Sequence, residues 1–303
     1  MGGHHHHNGG LGLNGRNLFL TVLLNLVITL AQFIGGIISG SLSLMSDAVH
    51  NLSDVFSLIA SYVAYLLANR KKQNLKQTFG YKRAEIIAAL LNAASLIVIA
   101  VLLGIEAVKR INNPEPIDGN IVIVLSLVGI IANGVGVLLL RKDAAHNLNM
   151  RSAYLHLLAD MLTSFAVLAG GLLIKYFNIY MVDAVLTILI SLFLIYSSWK
   201  ILTDSLKILM LFAPEHIIIK DIEDEILKLQ GIRNIHHVHV WQLNDKDTHF
   251  EAHIEFIDNI TLSEFDKKCE QIERLLSERF GIHHCNLQPE WDRDDSKEFI
   301  IQD

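Results

Sequence analysis

The sequence predicts an α-helical membrane domain of six transmembrane helices, followed by a small α+β domain of ferredoxin-like order α-β-β-α-β. Three observations predict it. Charge is scarce before Pro214 and dense after it, in a chain of 303 residues that is 51% hydrophobic with a mean hydropathy of +0.38. Before Pro214, six apolar stretches reach the ~20 residues of helix that a bilayer requires. After it, apolar residues first recur at helical spacing and then alternate, as in a strand buried on one face. The expected division is 1–16, a flexible His-containing segment; 17–213, the six-helix membrane domain; and 214–303, a cytoplasmic ferredoxin-like domain.

The predicted spans run Asn17–Ile38, Leu42–Ala68, Arg83–Ile111, Gly119–Leu140, Met150–Phe177 and Tyr180–Leu211. Ser39–Ser41, between the first two, is a tight turn. Arg70, Lys71, Lys72, Lys76, Lys82 and Arg83 follow the second span, and Arg141, Lys142 and Arg151 follow the fourth. The connections after the third and fifth carry only Lys109 with Arg110, and Lys175. Positive charge favours the cytoplasmic side, which places both termini and the soluble domain there. Gln32, Gly35, Gly36, Asn133, Gly170 and Gly171 lie within spans and read as close helix packing with interhelical hydrogen bonds. Glu106 and Asp183 fall near span ends, where the interface hydrates charge. His4–His7 sit in a Gly- and Asn-rich lead segment without the apolar region of a removable signal peptide.

The organising stretch is the second span. It carries His50 and Asp54 at i,i+4, which puts both on one helical face a turn apart. The fifth span repeats the device with His156 and Asp160. An ionisable residue at the centre of a span costs roughly 2.5–3.5 kcal/mol on insertion scales, so four of them in matched pairs read as one site across two helices. Two imidazoles and two carboxylates suit tetrahedral Zn²⁺. Asp47 shares the face of His50 and is read either as an entry or exit carboxylate or, the preferred reading, as a helix-terminus charge near the membrane surface.

In the tail, Ile218, Ile222, Ile226 and Leu229 predict a helix over Glu215–Gln230. Ile235–Leu243 and Thr248–Ile257 predict two strands joined by the polar turn Asn244–Asp247. Thr261 and Glu264 form a capping box for a helix to about Phe280, and a last strand runs His284–Trp291. His236, His237, His239, His249, His253, His283, His284, Cys285 and Glu290 make this domain rich in possible metal ligands.

Three motifs in order, SLSLMSDAVHNLSDVFSL, FGYKRAEIIAALLNA and LNMRSAYLHLLADMLTSFAVL, closely resemble the cation diffusion facilitator family of zinc transporters, over about Asn17–Trp291. The resemblance implies a homodimeric antiporter in a bacterial cytoplasmic membrane. It would move a divalent metal out of the cytoplasm against protons, with its transport site on His50, Asp54, His156 and Asp160. Matched residue by residue, it also implies a regulatory metal on His236, His253 and Glu290 of the cytoplasmic domain, with His239 and Cys285 weaker matches. The chain departs from some relatives in two places. RKKQNLKQTFGYKR, before the third span, has no His, Asp or Glu to hold a further metal. Met210, Leu211 and Phe212 stand where an acidic residue often precedes the Pro ending the sixth span.

Function classes narrow accordingly. A net charge of −6, carried mainly by the tail, argues against a nucleic-acid partner, for which basic character would be expected. Cys269 and Cys285, both in the tail, suit a reducing compartment. The histidines favour Zn²⁺ over harder ions, while Cd²⁺ and Co²⁺ accept the same ligands. The rival reading, an intramembrane zinc metalloenzyme, lacks an H-E-x-x-H motif and an open coordination position. No organic cofactor is expected.

Overall fold

The computed structural model describes residues 15–68, 78–141, 148–245 and 247–301. His4–His7, Arg70–Lys76 and Lys142 lie outside the described residues. Six long helices come first: α1 (Gly15–Ser39), α2 (Leu42–Ala68), α3 (Ala84–Asn112), α4 (Gly119–Leu140), α5 (Leu148–Phe177) and α6 (Met181–Leu209). Their bounds follow the apolar stretches to within a few residues. Among the described residues, α3, α4, α5 and α6 are each long and apolar enough to cross a membrane, while α1 contributes a shorter apolar run, Asn25–Ser39. α2 is a helix of 27 residues interrupted on one face by His50 and Asp54. Leu91, Leu138, Leu162, Leu192 and Tyr196 are exposed on the outside of these helices. Asp47, Ser126, Asp160, Ser164, Asp183 and Thr187 are buried within them. An apolar outer surface around an interior that mixes apolar and polar side chains is the pattern that lipid as solvent selects.

The described residues fall into two compact units, one up to Ile59 with Asn92–Trp199, the other Ala60–Leu91 with Lys200–Asp303. In the first unit, Leu44, Val49, Leu96, Ala100, Val122, Val167, Ile190 and Leu194 form the apolar core. Glycine lets backbones approach where α4 meets α5. A Cβ on Gly119 would sit 2.9 Å from the Gly171 carbonyl oxygen, and one on Gly171 would sit 2.9 Å from Val122 Cγ1. Between α1 and α2 the chain reverses through Gly40, whose φ of +74° is open to glycine and strained for other residues.

The end of the bundle around that turn is held by polar contacts. Asp183, in the first turn of α6, is buried and accepts from Ser41 Oγ at 2.6 Å, Leu42 N at 2.8 Å, Ser43 N at 3.2 Å and Ser43 Oγ at 2.5 Å. It therefore caps α2 from another helix, where the positive end of the helix dipole favours a carboxylate. This corrects the expectation of a hydrated Asp183: protein donors, not interfacial water, satisfy it. Glu106 does stay partly exposed, paired with Lys109 and Arg110. Arg110 Nη1 donates to the Gly40 carbonyl, and Asp118 N donates to the Ser39 carbonyl at 3.0 Å.

In the second unit, α7 (Ile219–Ile226) is followed by β1 (Ile232–Gln242), β2 (Thr248–Phe256), α8 (Leu262–Phe280) and β3 (His284–Glu290). The sheet order is β1-β2-β3, with β1 antiparallel and β3 parallel to β2. Ile222, Ile226, Ile235, Phe250, Ile254, Phe256, Ile272 and Leu276 close the core between sheet and helices. α7 is half the predicted length. Ile218 at its N-cap offers no side-chain acceptor, and a turn from Ile226 to Leu229 leads into Gly231 at φ +92°. The predicted capping box on Thr261 and Glu264 is present. β1 carries a bulge between His236 and His239, with His237 at φ +52°.

Candidate metal centres

The i,i+4 spacing on α2 and on α5 turns both His-Asp pairs toward one another. His50 Nε2 lies 3.2 Å from Asp160 Oδ1 and 3.8 Å from Asp54 Oδ2. His156 Nε2 lies 3.3 Å from Asp54 Oδ2 and 3.6 Å from Asp160 Oδ2. The two imidazoles meet edge to face at 5.9 Å, and Phe193 of α6 closes against His50. His50, His156 and Asp160 each offer a ligand atom within 4.8 Å of the others. Asp54 reaches both histidines from the rim of that group. Burial is graded across it: the Asp160 side chain is 6% exposed, His50 12%, Asp54 31% and His156 47%. Each carboxylate thus faces an imidazole from the other helix, and two nitrogens with two carboxylates can take up a divalent cation by small closing movements.

Asp47 is not an exposed helix-end charge. It is fully buried on α2, accepting on Oδ2 from Ser164 Oγ of α5 at 3.2 Å and Gln32 Nε2 of α1 at 3.4 Å. A helix-end charge was expected because sequence shows one helix at a time. The close packing of α1 and α5 is what removes this residue from solvent.

The soluble domain builds a second cluster. His236 of β1 and His253 of β2 are cross-strand partners, and Glu290 ends β3 beside them. His236 Nε2 lies 3.0 Å from Glu290 Oε2, and His253 Nδ1 lies 2.9 Å from Glu290 Oε1. Asp295 Oδ1 approaches His236 Nε2 at 3.8 Å and completes a group of four. His236 is fully buried, and neither of its ring nitrogens nor His253 Nδ1 makes a hydrogen bond of proper geometry. Buried nitrogens converging on a carboxylate without such bonds fit a metal as their partner. Burial also holds His253 below the usual imidazole range, which keeps it neutral and able to ligate. Lys297 Nζ at 3.1 Å and Arg293 Nη1 at 3.2 Å lie against Glu290 and balance its charge.

Asp295 was not predicted. It follows the last strand in an irregular segment that folds back onto the bulge, His237 N donating to the Glu298 carbonyl and Val238 N to the Phe299 carbonyl. The acidic run Asp292–Asp295 was its one signal in sequence. His249 and His284 lie elsewhere in the domain, 4.4 Å apart as neighbours on β2 and β3. The Cys285 thiol is pushed up to about 11, by burial first and then by Glu273, and so stays protonated.

Comparison with known proteins bears on this geometry. The cation efflux transmembrane domain matches residues 18–210, and the cytoplasmic domain of cation efflux proteins matches residues 214–291. The chain belongs to the cation efflux family. Cation efflux proteins are transporters, and this chain is a multi-helix integral membrane protein of that kind rather than an enzyme. It is 35% identical over 286 residues to the "Cadmium, cobalt and zinc/H(+)-K(+) antiporter" of Bacillus subtilis (strain 168), covering 94% of this chain and 91% of that one. It is 32% identical over 280 residues to the "Zinc transporter ZitB" of Escherichia coli (strain K12), covering 92% and 88%. It is 30% identical over 287 residues to the "Metal cation efflux system protein CzcD" of Cupriavidus metallidurans, covering 94% and 89%.

Proposed function

We propose that this cation efflux protein exports Zn²⁺ from the cytoplasm in exchange for protons, with His50, Asp54, His156 and Asp160 as the transport site. The observation that carries the reading is the convergence of those four side chains, with cross-helix His–Asp separations of 3.2 and 3.3 Å. Relatives named for zinc, cadmium and cobalt support a divalent substrate, and Cd²⁺ and Co²⁺ are secondary cargoes of the same ligands. With the metal bound, both imidazoles are neutral ligands and the ion balances the two carboxylates. Once it leaves, the two carboxylates it had balanced remain close together in a medium of low dielectric, which favours proton uptake. Histidine exchanges protons near ~6.5 when unperturbed, within reach of physiological pH. Rocking of the site-bearing helices would alternate access, as in carriers with a midplane site.

All six helices cross a bacterial cytoplasmic membrane in this reading, with residues 17–213 as the transport domain, 214–303 in the cytoplasm and both termini inside. The protein works as a homodimer, consistent with the cytoplasmic dimerisation domain it matches. A metal on His236, His253, Glu290 and Asp295 would regulate it, ordering the soluble domain and so linking cytoplasmic zinc to transport. The test is zinc flux in liposomes that report internal pH. An inward proton gradient should drive zinc outward, and zinc movement should carry protons the other way. Zinc flux with no opposing proton flux would make the protein a uniporter and sink the exchange.

A further inference from the structure

One turn from the four ligands, the same two helices build a second polar layer that the proposed site does not use. Asp47 precedes His50 by three residues on α2, and Ser164 follows Asp160 by four on α5. Asp47 is fully buried, and its partners among the described residues are neutral donors, Ser164 Oγ at 3.2 Å and Gln32 Nε2 at 3.4 Å. Its Oδ1 makes no hydrogen bond. Gln32 is itself buried and accepts from Asn51 Nδ2 at 3.4 Å, so the amide is oriented with its donor toward the carboxylate. Thr29, a turn before Gln32 on α1, is buried with an unpartnered hydroxyl. α4 contributes Gly129, where a Cβ would stand 2.7 Å from Gln32 Nε2 and 3.1 Å from Ser164 Oγ. The layer is therefore a fitted polar chamber whose one ionisable member among the described residues is Asp47.

We infer that Asp47 is a proton-carrying residue of the transporter, distinct from the metal ligands, that gives up its proton when the metal binds and takes one back when it leaves. This rests on the exchange reading above. Among the described residues, the titratable groups that act on Asp47 are His50 on its own helix and Asp160 on α5, while Gln32 of α1 and Ser164 of α5 meet it as neutral donors. A buried carboxylate without a cation pays a desolvation cost that a proton removes. A divalent ion one turn away replaces the proton as the source of positive charge. When the ion departs, two ligand carboxylates remain nearby and their repulsion calls the proton back. The proton leaves the Asp47 hydroxyl oxygen as H⁺ and returns to the same carboxylate, so no other bond changes. The chamber's donors, Ser164 Oγ and Gln32 Nε2, hold the anion in place between those events.

The decisive experiment counts protons released per Zn²⁺ bound, in the full chain in detergent with the tail ligands removed (His236→Ala, His253→Ala, Glu290→Ala), from about pH 5.5 to 8 around the histidine range. Asp47→Asn keeps the shape and cannot carry the proton. It should still bind zinc while releasing about one proton fewer per ion, with a shallower pH dependence of affinity. Equal proton release in Asp47→Asn and its parent overturns the role of Asp47 and leaves the exchange reading standing. A parent that binds zinc and releases no proton fails the exchange reading itself. If Asp47→Asn does not fold, Ser164→Ala serves instead: it keeps the carboxylate and removes a donor to its anion, so the pH profile of release must change, and an unchanged profile overturns the proposal.

Discussion

Two buried carboxylates of the bundle have opposite surroundings, and that contrast sorts their roles. Asp183 accepts four hydrogen bonds at a helix N-terminus and is fully spoken for. Its loss should be structural: Asp183→Ala is expected to cost roughly 3 kcal/mol, since a charged cap disappears and buried donors are left open. Thermal unfolding in detergent would register this, and an unchanged melting temperature would mean the cap is idle. Asp160 has imidazoles for neighbours instead. Asp160→Ala should reduce zinc affinity by more than the ~10–100-fold that losing a mere outer partner costs. Direct zinc titration of the full chain without tail ligands decides it; near-wild-type affinity would remove Asp160 from the site.

At the scale of elements, α4 and α5 depend on glycine for their approach. Isoleucine at Gly171 would drive into Val122 and Ile123, whose atoms stand 2.9 and 3.2 Å from the Cβ position. Gly171→Ile should cost about 1–3 kcal/mol by overpacking and, because α5 carries Asp160, lower transport as well. Transport at the wild-type rate with unchanged stability would show that the helices part without consequence. The helices and the paired His-Asp motifs were legible in sequence because each depends on local periodicity: apolar length for a span, i,i+4 for a face. Asp183 and Asp47 were misread because their partners lie on other helices, Ser41 to Ser43 for one and Gln32 with Ser164 for the other. Asp295 escaped for a similar reason, reaching His236 only because residues Glu298 and Phe299 fold back onto the β1 bulge.

For the whole chain, the histidine-rich tail makes stability depend on pH. Burial first, then His284 and Lys82, hold His249 below its ordinary value of 6.5, and burial holds His253 below it too. Both are therefore more readily neutral folded than unfolded. Their contribution is complete above about pH 6.5, the unfolded value, and is lost as pH falls toward the lower folded values. Full-length protein with a chelator present should melt at lower temperature near pH 5.5 than near pH 7.5, followed through Trp241 and Trp291. His249→Gln should flatten that dependence, since it removes one of the two imidazoles held low in the folded domain. A slope unaffected by the substitution would assign the acid sensitivity to other groups.

The contacts around Gly40 give α2 a fulcrum. Asp183 grips its first turn, while Arg110 and Asp118 fasten the Gly40 and Ser39 carbonyls just before it. His50 lies eight residues along from Leu42, about 12 Å, on a lever whose 27 residues extend about 40 Å. A tilt about the gripped end that shifts His50 by 1 Å therefore swings the far end by about 3 Å, the width of a water molecule. The candidate ligands can keep nearly the same spacing while the end of α2 that the proposed orientation places on the cytoplasmic side moves about three times as far as the site itself.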